Sequence, residues 1–168
     1  MDCAMKNYCV VDFETTGLSP HNCEVIEFGA VRVKNGELDL NMASLCKPYG
    51  YIPSGITRLT GIDESMTANY PHFDELLPTL LDFIGGDVLV CHNVPFDKGF
   101  LDAACARKGI RFTGETYCTL QAARRILKLQ SHKLGMVAAH LGIKNASEHR
   151  ALGDAMTTAR ILIKLLNM

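Results

Sequence analysis

The chain has 168 residues, a net charge of −1, and 48% hydrophobic and 21% charged residues. This length allows one domain with a full hydrophobic core, and the balanced charge excludes the strongly basic surface of a protein that wraps long duplexes. The sequence has no run of about 18 apolar residues and no signal-peptide pattern, so it predicts a single cytoplasmic domain over residues 1–168 with no membrane span.

Cysteine spacing adds a prediction about the redox state. The seven cysteines are scattered, their number is odd, and no two of them form a C-x-x-C pair. This pattern is typical of reduced thiols that fill a core, and it argues against a structural zinc site. The cysteines are Cys3, Cys9, Cys23, Cys46, Cys91, Cys105 and Cys118.

Three strands are predicted at the start of the chain, over residues 7–14, 24–34 and 37–46. Asn35 and Gly36 lie between the second and third strands and are a strong hairpin signal. Sequential strands joined by short turns pair antiparallel, so the sequence predicts a meander.

Helices then alternate with two further strands. Apolar residues at helical spacing and glycines at helix ends predict the helices, and short apolar or weakly β-forming runs predict the strands. Helices are predicted over residues 54–61, 70–84, 95–108, 119–127, 132–141 and 150–166, and strands over 88–91 and 111–117. The order predicts an α/β fold in which a sheet of mixed direction has helices on its faces.

Two acids stand out in the first strand. Asp12 and Glu14 are two residues apart and therefore share a face, whereas Val11 and Phe13 point into the opposite layer. Carboxylates about 7 Å apart repel each other, and Mg²⁺ or Mn²⁺ is a natural counter-charge for such oxygen ligands. Two unrelated acids at a solvated strand end are the alternative.

Three residues further along the chain are candidates for the same site. Asp97 and Asp154 fall in the first turns of two predicted helices, where the macrodipole favours anions. Capping is the alternative role for each acid. His149 precedes the last helix, where it could act as a general base beside a bound water or simply be exposed.

These residues lie in three stretches, which are residues 12–18, 92–101 and 149–155. The stretches resemble the three motifs of the DEDDh 3′–5′ exonucleases, a family that includes the proofreading epsilon subunit of bacterial replicative DNA polymerase. Residues 26–31 and 59–62 are also similar to this family, so the resemblance covers nearly the whole chain. It implies an RNase H-like fold with a mixed five-stranded sheet.

The resemblance also implies two divalent cations, Mg²⁺ or Mn²⁺. Asp12 would bridge both ions, and Glu14 and Asp154 would complete the site of the attacking water. Asp97 would hold the second ion, and His149 would accept the proton of the water. Products would be 5′-mononucleotides released from a 3′ end.

A further group of residues is expected to contact the substrate by the same resemblance. These residues are Thr15, Thr16, Gly17, Leu18, Leu59, Asn93 and His149. Ordinary core packing is the alternative for both leucines, and structural support is the alternative for Asn93. We interpret His92 as structural, and Glu27 as structural or as a neighbour of the ligands.

Four basic residues are candidate phosphate contacts, namely Arg125, Lys128, Lys133 and Arg150. A solvated helix surface is the favoured interpretation of the first three.

The predicted function is a metal-dependent 3′–5′ exonuclease acting on single-stranded or frayed DNA. An RNA-trimming exoribonuclease remains an alternative, because the motifs fit either sugar. A low-turnover module that binds nucleic-acid ends in a polymerase assembly is the other alternative. Because nothing follows the last predicted helix, we expect a stand-alone domain rather than a polymerase-bound subunit, although a truncated chain would look the same.

Overall fold

The computed structural model describes residues 6–145 and 148–168, so Cys3 lies outside the described residues. Within this part, the five strands form one sheet in the order β3-β2-β1-β4-β5. The strands are β1 (Tyr8–Thr15), β2 (Val25–Lys34), β3 (Glu37–Leu45), β4 (Val88–Cys91) and β5 (Thr116–Cys118). β1, β2 and β3 pair antiparallel, and β4 pairs parallel with both β1 and β5. The predicted mixed five-stranded sheet is thus confirmed.

The helices of the described part lie near their predicted positions. They are α1 (Ser54–Thr60), α2 (Glu64–Thr67), α3 (Phe73–Ile84), α4 (Val94–Arg107), α5 (Thr119–Ile126), α6 (Leu134–His140) and α7 (Ala151–Leu166). The short α2 was not predicted; the Asp63 side chain caps it by accepting a hydrogen bond from the backbone N–H of Met66. α3 begins three residues later than predicted, because a capping box between His72 and Glu75 fixes its start.

Alternation along β1 distributes its residues between two helical layers. Cys9, Val11 and Phe13 belong to a buried cluster that also contains residues of α3 and α4. Val10 belongs to a second cluster, which contains Ala155 and other residues of α7. Since side chains alternate along a strand, Asp12 and Glu14 lie on the α7 side of the sheet, opposite Val11 and Phe13 as predicted.

The start of α7 lies directly against the sheet at Gly29. A Cβ atom at this position would be only 2.5 Å from the backbone carbon of Ala151, so a larger residue could not be accommodated here. Gly29 pairs with Asp12 across β1 and β2. This close approach brings the first turns of α7 to the carboxylates of β1.

Parallel pairing determines where the chain places its loops. β1, β4 and β5 run in the same direction, so their carboxyl ends lie along the same side of the sheet. We call this line of strand ends, which is not an outer strand, the site edge. α4 and α5 both begin at this edge. No helix among the described residues is long and apolar enough to cross a membrane, and the six described cysteines are all unpaired thiols.

Candidate active site

Three carboxylates converge at the site edge. Asp12 and Glu14 come from β1 and Asp154 comes from the first turn of α7. One oxygen atom from each residue lies within 4.8 Å of the others. The 3.6-residue repeat of α7 directs both Asp154 and the buried residue Ala151 towards the sheet, so Asp154 joins the two acids of β1.

Asp97 lies beside this group without being one of its three members. Its carboxylate is buried and accepts a hydrogen bond of 3.1 Å from the backbone N–H of Phe13. α4 holds Asp97 in its first turn, next to the positive end of the helix. Burial is the largest cause of the raised pKa of Asp12. Among the neighbouring charges, that of Asp97 has the largest effect.

Burial raises the pKa of each of the four carboxylates, and the charges of neighbouring acids add to the shift for Asp12 and Glu14. Burial, followed by the charges of Asp154, Glu27 and Asp97, raises the pKa of Glu14 to about 8. Burial raises the pKa of Asp97 to about 7, although backbone hydrogen bonds oppose the shift.

Asp12 and Asp154 are shifted in the same direction. The pKa of Asp12 is well above its usual value because its carboxylate is largely shielded from water and lies near four other acids, Asp97, Glu14, Asp154 and Glu27. Burial also raises the pKa of Asp154, against hydrogen bonds from Asn145 and from the backbone of His149. The cluster therefore concentrates negative charge that its protein surroundings do not balance.

This donor set fits a hard divalent cation. It offers several carboxylate oxygens in a small volume, which is the chemistry that Mg²⁺ and Mn²⁺ prefer. A cation there would offset the mutual repulsion that raises these pKa values. Asp12, Glu14 and Asp154 can share one ion, and Asp97 is placed to contribute to an ion next to Asp12.

His149 lies at the rim of the cluster. Its backbone adopts a left-handed conformation with φ of 61°, and its N–H donates a 3.1 Å hydrogen bond to Oδ2 of Asp154. A positive φ at a residue other than glycine is costly, so the fold holds this turn against its preference. The side chain is 44% exposed. The imidazole is therefore accessible from solvent.

Glu27 and Arg150 form an ion pair that the sequence did not predict. The Arg150 guanidinium donates to both oxygens of Glu27 at 2.8 to 3.2 Å, and the N–H of Ala151 donates to Glu27 at 3.0 Å. Glu27 thus satisfies a free N–H at the start of α7 and fixes the helix to β2. Arg150 is held by this pair instead of extending freely towards a phosphate. The only feature of the sequence that pointed to this ion pair was an acid within the otherwise apolar run of β2.

His92 connects the loop after β4 to the neighbouring segment. One ring nitrogen lies 2.9 Å from the hydroxyl of Thr119, and the other lies 2.8 Å from the carbonyl oxygen of His132. Both nitrogens are therefore engaged within the protein. Asn93, the next residue, is exposed at the start of α4 and makes no capping hydrogen bond through its side chain.

The loop after β1 is closed by its own hydrogen bonds. The hydroxyl of Thr15 donates to the carbonyl of Gly17 at 2.7 Å. Thr16 and Glu24 bond to each other twice, once through both backbones and once through the Thr16 hydroxyl. Gly17 packs on Cys23, whose Sγ would be 2.6 Å from an added Cβ.

Two leucines that we expect to contact the substrate are exposed. Leu18, in this loop, is 84% exposed, and Leu59 on α1 is 53% exposed. The alternative prediction of ordinary core packing is therefore wrong for both residues. Exposed apolar side chains are able to contact the flat faces of bases.

The family model described as exonuclease matches residues 9–162 of this chain. The chain belongs to this exonuclease family. It is 36% identical over 161 residues to the DNA polymerase III subunit epsilon of Aquifex aeolicus, and the match covers 95% of this chain and 80% of that protein. Family membership confirms the predicted enzyme class, a hydrolytic exonuclease.

Longer relatives contain a similar region. The chain is 41% identical over 160 residues to the PolC-type DNA polymerase III of Caldanaerobacter subterraneus subsp. tengcongensis. The matched region covers 95% of this chain but only 11% of that polymerase. The exonuclease region is thus a small part of the PolC-type relatives.

Solved structures share the fold. Exonuclease X, in complex with 5′ overhanging duplex DNA, superposes with a TM-score of 0.81 and 26% identity, over 95% of this chain and 91% of that one. The nuclease domain of 3′hExo, a DEDDh family member bound to rAMP, superposes with a TM-score of 0.84 over 99% and 94% of the two chains. Its identity of 21% supports a common fold only.

Proposed function

We propose that the chain is a metal-dependent 3′–5′ exonuclease that removes 5′-mononucleotides from single-stranded or frayed DNA. The observation that carries the proposal is the cluster of Asp12, Glu14 and Asp154 beside the buried Asp97, in a chain of the exonuclease family. We propose residues 1–168 as one exonuclease domain.

Asp12, Glu14, Asp97 and Asp154 would hold two divalent cations. When bound, such ions make a nucleophile available from water at neutral pH and stabilise the charge of the phosphate and of the leaving 3′-oxygen. The protein supplies the oxygen ligands and fixes their positions. Asp97 is fixed by the Phe13 N–H, and Asp154 by the N–H of His149.

His149 would accept the proton of the attacking water. Its imidazole is half-exposed, and its backbone N–H donates to Asp154, so the base would be positioned by one of the metal-binding residues. No other histidine lies in the three motif stretches except His92, whose two nitrogens are engaged elsewhere.

The terminal nucleotide would lie between the loop after β1 and helix α1. Backbone groups of Thr15, Thr16 and Gly17 can approach it closely, and Leu18 and Leu59 offer apolar surface to the last bases. Asn93 is exposed at the start of α4 and could contact the strand. This arrangement requires an unpaired end, because stacking against side chains needs free base faces.

DNA is the proposed substrate because two relatives that match 95% of this chain are DNA polymerase III proteins. The same relatives support a DNA polymerase as a partner and the cytoplasm as the location. The oligomeric state stays outside the proposal.

The test is a product analysis with labelled oligonucleotides. Single-stranded DNA, single-stranded RNA, blunt duplex and duplex with a mismatched 3′ end are incubated side by side with Mg²⁺ or Mn²⁺. We expect 5′-mononucleotides to be released stepwise from the 3′ end, fastest from single-stranded or mismatched DNA. The Asp154→Asn variant, purified identically, controls for contaminating nucleases.

Three outcomes would contradict the proposal. Release from the 5′ end would exclude the direction, and faster release from RNA would favour the exoribonuclease alternative. Tight binding without any mononucleotide would favour an end-binding module.

A further inference from the structure

Basic residues are unevenly distributed along the chain. Residues 116–147 contain five of the 17 lysines and arginines and none of the 18 aspartates and glutamates. The five basic residues are Arg124, Arg125, Lys128, Lys133 and Lys144. A chain with a net charge of −1 therefore concentrates positive charge in one segment.

This segment begins at the site edge and returns to it. β5 is parallel to β4, so α5 starts at the edge where Asp97 lies. His92, directly after β4, lies within hydrogen-bonding distance of Thr119 at the start of α5 and of the His132 carbonyl oxygen at the end of the next loop. Both ends of the stretch 119–132 are thus held to the loop that leads to Asp97.

The segment also touches the loop that carries the proposed base. A Cβ atom on Gly135 in the first turn of α6 would be 3.4 Å from Oε1 of Glu148, the neighbour of His149. Residues 132–135 therefore lie between the loop of Asp97 and the loop of His149. Lys133 lies within this connection, directly before α6.

The basic side chains of this segment are exposed and have no acidic partner among the described residues. Arg124, Arg125, Lys128 and Lys133 make none of the ion pairs formed in residues 6–145 and 148–168. By contrast, Arg107 pairs with Asp74, and Arg150 pairs with Glu27.

A surface cleft adjoins this segment beside the start of α4. The cleft has a volume of about 400 Å³ and is lined by Arg125, Tyr117, Val94 and Pro95. Pro95 is two residues after Asn93, which we place in contact with the substrate strand. The cleft and its arginine therefore continue the proposed substrate site away from the metal-binding carboxylates.

We propose that Arg124, Arg125, Lys128 and Lys133, which we call the cationic shelf, bind backbone phosphates of the substrate strand upstream of its terminal nucleotide. This inference rests on the proposed function. The four carboxylates of the site repel an incoming polyanion, and exposed cations on a segment that starts at the site edge supply attraction independent of sequence. The shelf would make the enzyme prefer a strand over a single nucleotide.

The experiment compares two substrates in the full chain. One is single-stranded DNA of about 20 nucleotides, and the other is thymidine 5′-(p-nitrophenyl phosphate), which has one nucleotide and cannot reach the shelf. For Arg125→Gln/Lys128→Gln, we expect the ratio of kcat/KM on DNA to kcat/KM on the ester to fall about tenfold. We also expect the slope of log KM against log salt to decrease by about 1.4 for two lost contacts with a single strand.

A matched variant controls for the loss of two charges. Lys34→Gln/Lys108→Gln removes two charges that lie away from the site. Lys34 is in the hairpin at the opposite end of the sheet, and Lys108 follows α4, about 20 Å from the start of that helix. We expect this variant to keep the wild-type ratio and salt slope. An unchanged ratio in Arg125→Gln/Lys128→Gln, or an equal fall in both variants, would overturn the proposal.

A binding measurement separates this inference from the proposed function. If the wild type hydrolyses neither substrate, the proposed function fails, and anisotropy of a fluorescent oligonucleotide in EDTA still tests the shelf. A weaker affinity for the Arg125→Gln/Lys128→Gln variant than for the matched control would support the shelf. Equal affinities would overturn the proposal that the cationic shelf binds the substrate strand, and they would point to an acidic protein as the ligand of the shelf.

Discussion

Glu14 and Glu27 are paired residues on adjacent strands, and their carboxylates have opposite surroundings. Glu27 is buried, but the Arg150 guanidinium and the Ala151 N–H satisfy it. Glu14 has three other acids near it, which raise its pKa together with burial. Proteins bury acids at little cost only when a partner compensates them. The comparison indicates that Glu27 stabilises the fold, whereas Glu14 belongs to a group completed by a ligand.

The same contrast separates the two edges of the sheet. Arg32 and Asp87 form an ion pair at 3.1 Å near the start of β4, at the edge opposite the site. At the site edge, Glu27 has such a partner in Arg150, whereas Asp12, Glu14 and Asp154 lie beside one another. Three variants and one change of conditions test this contrast between compensated and uncompensated acids.

The largest effect is expected for Asp12→Asn. Besides burial, the charges of Asp97, Glu14 and Asp154 all raise the pKa of Asp12, so Asp12 is coupled to every other proposed ligand. Its loss should lower kcat by about 10³-fold or more. Without metal the variant should be more stable than the wild type, because one repelling charge is gone. Nuclease assays and thermal unfolding in EDTA check both results. Asp39→Asn, at an exposed position of β3, is the control and should behave as the wild type. If Asp12→Asn kept a tenth of the activity, the proposed role of Asp12 as a metal ligand would be contradicted.

A smaller loss is expected for His149→Ala. Removing a general base lowers the rate by about 10²- to 10⁴-fold, and metal affinity should stay near that of the wild type because the carboxylates remain. Single-turnover rates and Mn²⁺ titration monitored by calorimetry measure the two quantities. His21→Ala, in an exposed turn, should change neither. Full activity of the His149 variant would exclude the general-base role.

Glu27→Gln tests the compensated side of the comparison. The substitution leaves the guanidinium facing a neutral amide, and we expect it to lower the free energy of unfolding by about 2 kcal/mol. Activity should fall about tenfold, because α7 positions Asp154 and a small displacement of a ligand is costly. Denaturant unfolding and steady-state rates are the measurements.

Asp87→Asn is the matched control for Glu27→Gln. It breaks the Arg32–Asp87 pair at the far edge, so it should lower stability without changing kcat. Equal losses of activity in the two variants would show that the Glu27–Arg150 pair has no specific positioning role.

The smallest effect concerns pH and the melting temperature without metal. The pKa of Glu14 rises from 4.5 to about 8, and that of Asp97 from 3.8 to about 7. Between about pH 5 and pH 8 the folded state therefore binds more protons than the unfolded state, and stability falls as pH rises. We expect Tm in EDTA to decrease by a few degrees over this range, and Mg²⁺ to raise Tm most at the alkaline end. A Tm that rises with pH in EDTA would contradict the claim that the acids of the site lack balancing positive charge when no metal is bound.

Local patterns made much of the fold predictable. The Asn35-Gly36 turn has positive φ at both residues, as a hairpin requires, and the structure pairs β2 with β3 around it. Alternation placed Asp12 and Glu14 on one face, since a strand leaves no other choice. The boundaries of α3 were less predictable, because His72 and Glu75 cap the helix through hydrogen bonds that apolar spacing does not reveal.

The meander, the main helices, the family and the five residues of the proposed site could be inferred from local sequence, because strand alternation, helix ends and short motifs depend on near neighbours. How these residues meet depends on the three-dimensional fold. The bond from Phe13 to Asp97 joins residues 84 positions apart, and the Glu27–Arg150 pair joins residues 123 positions apart. Such contacts depend on the order of the strands and on the approach of α7 to Gly29. The exposure of Leu18 and Leu59 was decided in the same way, because burial depends on which elements pack around a side chain.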